Sequence, residues 1–232
     1  MSDDVLGHFV KFSNQTSGQD KICRVLQYSS QLVWWYLEKR GFSTSYIEQL
    51  KQLQSSLSLA RKYFSLGKSV EHMRGAAVAI HINDPILRYS ITLSRISSAL
   101  QFLCDNVYLF SRLGLLRLDQ GNLLSVSSKL WLYADLLNII RVCYEIRHEI
   151  KEQIDRQESN IRNSKHSFYS TCKCVMVRRP DLVIDLVKNV SDVWLPVHAS
   201  GLTQLSPGSV GLFGTVSSVL GAATIWQKSG KL

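Results

Sequence analysis

The sequence is short of proline, short of charge and without an ordered set of cysteines. Only 4 prolines occur in 232 residues, and few stretches alternate polar with apolar, so the chain reads as mostly helix. Charged residues are 19% of it, below the roughly one-quarter of an ordinary soluble domain. That argues against a disordered tail or a nucleic-acid-binding arm, both of which are richer in charge. Cys23, Cys104, Cys143, Cys172 and Cys174 are odd in number and scattered, which does not suit a secreted disulfide scaffold. Asp3 and Asp4 stand where a secretory signal would be basic, and no apolar run follows them. The cysteines are therefore expected as thiols in a reducing compartment.

Catalytic patterns are also missing. No glycine-rich phosphate loop precedes a helix, and neither Gly-x-Ser-x-Gly nor His-Glu-x-x-His occurs. Cys172 and Cys174 near His166 are too close together for a zinc ribbon. Asp105 and Asp135 have the chemistry of an acid/base pair, but no nucleophile or metal set accompanies them, and a helix cap or an intrahelical partner is the better reading. The expectation is no enzyme, no cofactor and no metal.

What is present is a local excess of positive charge and a long uncharged end. The net charge is +9. Nine basic against three acidic residues between Lys21 and Ile80 supply two-thirds of it. A local excess of this kind points to an anionic partner, lipid head groups or nucleic-acid phosphates. From Val193 to Gln227 there is no Asp, Glu, Lys or Arg, which a nucleic-acid binder leaves unexplained.

Caps and breakers divide the chain. Asp20 is the expected cap of a helix running to Arg40, with Gly41 as its stop. A second helix is expected over Ser45–Ala79, and a third from Pro85 to Leu113 behind an Asp84 cap. A loop is expected over Leu115–Val126, then a helix over Ser127–Ser159 and a flexible linker over Asn160–Arg179. Pro180 opens a short helix through Val193, ended by Pro196, and Ser209–Trp226 forms a last apolar segment.

Two of these segments carry the functional reading. At about 100° per residue, Lys51, Arg61, Lys62 and Lys68 share a serine-rich face of the second helix. Leu57, Leu59, Tyr63, Phe64, Leu66, Val70 and Met73 lie opposite. This describes a helix packed on a soluble core, or one lying in a membrane interface with its cations at anionic head groups. The 18 residues Ser209–Trp226 span about 27 Å, close to bilayer hydrocarbon thickness. Gly214, Ser218 and Ala222 recur on one face, which allows close helix–helix approach. Ile86–Leu116 and Trp131–Ile146 are apolar but carry Arg88, Arg95, Asp105, Asp135 and Arg141, and hydropathy leaves their place relative to a membrane open.

Several stretches resemble, in order, the peroxin-11 family of peroxisomal membrane proteins. Phe12-Ser13-Asn14-Gln15-Thr16, Gly18-Gln19-Asp20-Lys21 and Gln27-Tyr28 resemble its opening. Leu57-Ser58-Leu59-Ala60-Arg61-Lys62 with Phe64, Leu66-Gly67 and Val70 resembles its amphipathic helix. Cys104-Asp105-Asn106-Val107, Tyr144-Glu145-Ile146-Arg147, Asp185-Leu186-Val187-Lys188-Asn189 and Gly211-Leu212 with Gly214 and Val216-Ser217-Ser218 follow collinearly.

The resemblance implies an all-α, membrane-associated helical bundle with an interfacial amphipathic helix and one to three transmembrane helices. It implies a non-enzymatic protein that promotes peroxisome elongation, proliferation and fission. Leu57, Arg61, Lys62, Phe64, Lys68 and Val70 would be the membrane-active residues, with the three cations facing lipid. The implied partners are anionic phospholipid, further copies of the chain, and dynamin-type fission machinery with its adaptors; no nucleic acid is implied. The implied location is the peroxisomal membrane, multi-pass, with both termini cytosolic. Residues 1–83 would be a cytosolic amphipathic region, 84–159 partly embedded, 160–179 a linker, and 180–232 a short helix with the C-terminal span. The alternative is a pore-forming or solute-transporting subunit of the peroxisomal membrane, with Arg88, Arg95, Asp105, Asp135 and Arg141 along the path.

Overall fold

A computed structural model of the chain describes residues 2–160 and 175–229. Most of the expected linker, with Cys172, Cys174 and His166, lies outside the described residues, as do the last three positions. The helices are α1 (Ser2–Ser13), α2 (Thr16–Lys39), α3 (Thr44–Phe64), α4 (Lys68–Ala79), α5 (Pro85–Arg112), α6 (Gln120–Asn160), α7 (Pro180–Ala199) and α8 (Pro207–Ser229). No strand occurs among the described residues. The all-α expectation holds.

Some boundaries follow from local chemistry that the sequence displays. Asp84 caps α5: its Oδ1 accepts from the backbone N–H of Ile86 at 2.8 Å and of Leu87 at 3.0 Å. Pro85 fills the first helical position, where no intrahelical N–H is needed.

Other boundaries differ from expectation. The helix expected over Ser45–Ala79 is two helices, because Gly67 adopts φ +83°, a left-handed conformation that ends α3 and starts α4. The loop expected over Leu115–Val126 is mostly helix. Asp119 Oδ1 accepts from Gly121 N at 2.9 Å and so starts α6 seven residues early. Asp20 does not cap α2; Thr16 begins that helix, and Asp20 lies inside it. α7 continues through Pro196 to Ala199. Pro196 is fully buried, and its packing holds the helix past the lost hydrogen bond. α1 is an additional helix.

The helices close into a ring. α2 packs on α3 and α8, α8 on α7, α7 on α6, α6 on α5, and α5 on α4; α3 also touches α5. Polar groups share the interior of this ring with apolar ones, and many large apolar side chains lie outside it. Arg24, Gln27, Gln31, Asp135, Asn189 and Asp192 are buried, whereas Leu26, Val33, Tyr133, Ile140, Val190 and Val219 are exposed. A soluble domain hides its large apolar side chains first. Large apolar side chains turned outward, with polar groups gathered inside, are a pattern that a bilayer solvent selects. α6 (over Gln120–Asp155) and α8 (over Pro207–Gln227) are long and apolar enough to cross a membrane. Only 22% and 39% of their apolar windows are buried inside the fold, so each keeps positions open to its surroundings.

Candidate membrane interface

The α3–α4 segment carries the six residues expected to be membrane-active. Its three cations face the bundle interior. Arg61 Nε donates to Asp20 Oδ1 at 3.0 Å, and its Nη1 donates to Gln27 Oε1 at 3.0 Å. Lys68 Nζ donates to the other oxygen of Asp20 at 3.2 Å. Asp20 on α2 therefore bridges one cation from each side of the Gly67 break. Lys62 Nζ donates to Asp105 Oδ1 on α5 at 2.9 Å, and Ser127 Oγ donates to the same oxygen at 3.1 Å. Lys62 also lies 4.5 Å from the centre of the Tyr108 ring.

The apolar residues around the break divide. Leu57 and Phe64 are half-buried against the bundle, whereas Tyr63, Leu66, Val70 and Met73 are turned outward. Val70 is 71% exposed, more than any other large apolar residue of this segment. The outward face between Gln52 and Gly67 thus carries no charge, because Arg61 and Lys62 point inward. On α4, the His72 ring lies tilted against Phe102, with centroids 5.1 Å apart. Burial, then the charge of Arg95, holds His72 below its ordinary value of 6.5.

The small-residue face of α8 has its partner within the chain. Gly214 lies against the Tyr28 ring, where an added Cβ would sit 2.3 Å from ring carbons. Ser218 is fully buried and donates to the Gly214 carbonyl; Ala222 is half-buried. Gly208 against Trp35, Gly211 against the Leu32 backbone and Gly221 against Lys21 extend the contact in both directions. These three glycines are absent from the expected set. Gly208 and Gly211 stand six and three positions before Gly214, and Gly221 seven after it; that helical spacing was the available signal.

Beneath that contact lies an ion pair that sequence reasoning missed. Arg24 on α2 pairs with Asp192 on α7, and the same guanidinium nitrogen donates to Ser217 Oγ on α8 at 3.4 Å. Arg24 and Asp192 are each 7% exposed. Asp135 on α6 is also buried, and its Oδ2 has no hydrogen-bond partner among the described residues.

The five charges named for the alternative path scatter. Asp105 and Asp135 face inward, Arg95 is exposed, Arg88 sits 5.2 Å from the Tyr89 ring centre, and Arg141 reaches Glu145 at 3.4 Å and Asp185 at 3.7 Å. At one end of the bundle, His8 and Phe12 of α1 contact Trp226 of α8, with ring centroids 4.8 and 5.6 Å apart. The two terminal helices therefore meet at the same end.

The family model described as peroxisomal biogenesis factor 11 matches residues 6–226. Peroxisomal membrane protein 11B of Bos taurus is 30% identical over 94% of this chain and 95% of its own length. Peroxisomal membrane protein 11A of Homo sapiens is 29% identical over 97% of this chain and 98% of its own. Peroxisomal membrane protein PMP30B of Candida boidinii is 24% identical over 96% and 94%. No solved structure matches the chain.

Proposed function

The chain belongs to the peroxisomal biogenesis factor 11 family, and from that premise we propose that it remodels the peroxisomal membrane. It resides in that membrane and acts in peroxisome biogenesis. The finer reading is that the part of α3–α4 around the Gly67 break enters the cytosolic leaflet and adds volume to one side only. That asymmetry bends the bilayer, elongates the organelle and prepares it for fission.

The outward set Tyr63, Leu66, Val70 and Met73, on both sides of the Gly67 break, carries this reading. The cations have a second part. Arg61, Lys62 and Lys68 rest on Asp20 and Asp105, and anionic lipid phosphates compete with those carboxylates for the same donors. Self-association concentrates the wedges, and dynamin-type fission machinery with its adaptors acts on the tube that results. Both termini lie on the cytosolic side.

The test is a paired substitution in the full-length chain. Val70→Glu with Met73→Glu places two charges on the outward face and touches none of the ion pairs. Proteoliposomes bearing it stay round where the parent chain tubulates them, and the variant still resists alkaline carbonate extraction. Tubulation by the variant at parental level would overturn the wedge.

A second reading has its own observation. Asp135 sits inside the ring with one carboxylate oxygen unpaired among the described residues. Such a group suits a pore-forming or solute-transporting subunit. Reconstituted chain would then show a conductance in planar bilayers that Asp135→Asn changes in ion selectivity, and the Val70/Met73 variant would conduct normally. Absence of any conductance removes this reading.

A further inference from the structure

We infer that α2 crosses the bilayer beside α8, although its mean hydropathy does not mark it as a span. The inference rests on the reading of α8 as a crossing helix. Residues 1–83 would then not be wholly cytosolic.

Three observations lead there. First, α2 and α8 run antiparallel in contact along their length. Lys21 meets Gly221, Tyr28 meets Gly214, Leu32 meets Gly211 and Trp35 meets Gly208. Whatever depth α8 occupies, α2 shares it.

Second, the polar residues that lower the hydropathy of α2 face inward. Arg24, Gln27, Ser30 and Gln31 are all buried. Arg24 is the one ionisable residue of fixed charge between Lys21 and Glu38, and it is paired with Asp192. The outward stripe is Ile22, Leu26, Ser29, Val33 and Tyr36, spaced four, three, four and three. Leu26, Val33 and Tyr36 are 50%, 46% and 51% exposed. Ile22–Leu37 measures about 24 Å at 1.5 Å per residue, about one helical turn short of a ~30 Å hydrocarbon core, a deficit that local thinning of the bilayer accommodates. Leu212 and Val219 continue the apolar exterior on α8, at 51% and 49% exposure.

Third, aromatic residues and cations bracket the pair at both ends. At one end Lys39 lies 4.3 Å from the Trp35 ring centre and Arg40 lies 5.2 Å from that of Tyr36. At the other end Trp226 packs on His8 and Phe12. Trp226 follows Gly208, the partner of Trp35, by 18 positions. That is about 27 Å along α8, the separation of the two interfaces of a bilayer. The occupant of the outward stripe is therefore lipid acyl chain, continuous with the lipid around α8. Arg24 and Asp192 lie level with Ser217 on α8, and their pairing lowers the cost of holding a charge at that depth.

Protease sites decide it in sealed organelles carrying the full-length chain. One site each is placed ahead of α1, in the exposed turn 41–43, in the exposed loop 201–206, and after α8. The expected result is that the two turns share one accessibility and the two termini share the other, with all four cut after detergent. If the 201–206 loop is cut together with the C-terminus, α8 does not cross, and the premise and the inference fail together. If α8 crosses but the 41–43 site is cut together with the N-terminus, the inference alone is overturned, and the stripe is left to a second copy of the chain.

A second measurement needs no insertion. Relative to the parent chain, Leu6→Cys and Phe42→Cys gain impermeant maleimide label from opposite sides of the membrane, and Leu26→Cys gains it from neither. Labelling of Leu26→Cys without detergent would overturn the inference.

Discussion

α2 and α8 are nearly equal in length, lie against each other and face the same surroundings, yet they are written differently. α8 has no charge between Pro207 and Gln227 and is visible as an apolar run. α2 carries arginine, glutamines and serines among its apolar residues. The difference lies in what each helix presents to the interior. α8 presents glycine and serine, which allow close approach; α2 presents a guanidinium and amides, which need partners. A hydropathy average adds both faces of a helix and cannot separate an inward arginine from an outward one.

The comparison breaks most sharply at Arg24. Arg24→Ala leaves Asp192 charged, buried and unpaired, and removal of one partner of such a pair costs about 3–5 kcal/mol. The expected outcome is a large fall in thermal stability in detergent. Arg24→Met with Asp192→Leu recovers most of it, because an apolar pair of similar volume needs no partner. Failure of the double variant to recover would show that the polar pair also specifies the ring.

Gly214→Leu tests the α8 side. Its side chain has no room against Tyr28, and overpacking of this kind costs about 1–3 kcal/mol. Ala222→Leu, at a half-buried position, is expected to lose less in the same melt. Equal losses would mean that the interface does not follow the glycine line.

The smallest effect concerns the α3–α4 segment. Asp20→Asn with Asp105→Asn removes the carboxylates that hold Arg61, Lys62 and Lys68. A cation near an anionic leaflet is worth about 1 kcal/mol, or about fivefold. The anionic lipid content needed for tubulation falls accordingly, and tubulation of neutral vesicles is unchanged. An unchanged requirement would make the pairs structural braces, with the wedge acting through its apolar face alone.

Legibility followed the range of the interactions. Asp84-Pro85 marked the start of α5 because a cap acts over three residues. Gly214 and Ser218 stood out as a small-residue face because small residues at helical spacing allow close helix–helix approach. The break at Gly67 was written in the sequence, but the amphipathic pattern ran on through it and hid it. Arg61, Lys62 and Lys68 read as lipid-facing because a helical wheel shows only that they share a side. Which side faces outward depends on Asp20, 41 residues from Arg61, and on Asp105, 43 residues from Lys62.

By itself the sequence determined the helical class, the positive segment, the uncharged end and the family, because composition, period and ordered motifs are properties of the chain. Only the tertiary structure decided which face of each helix is the outside. Burial is decided by elements far apart in sequence, and a buried cation is stable only where a distant segment supplies its carboxylate. Arg24 and Asp192 are 168 positions apart and meet in the middle of the ring.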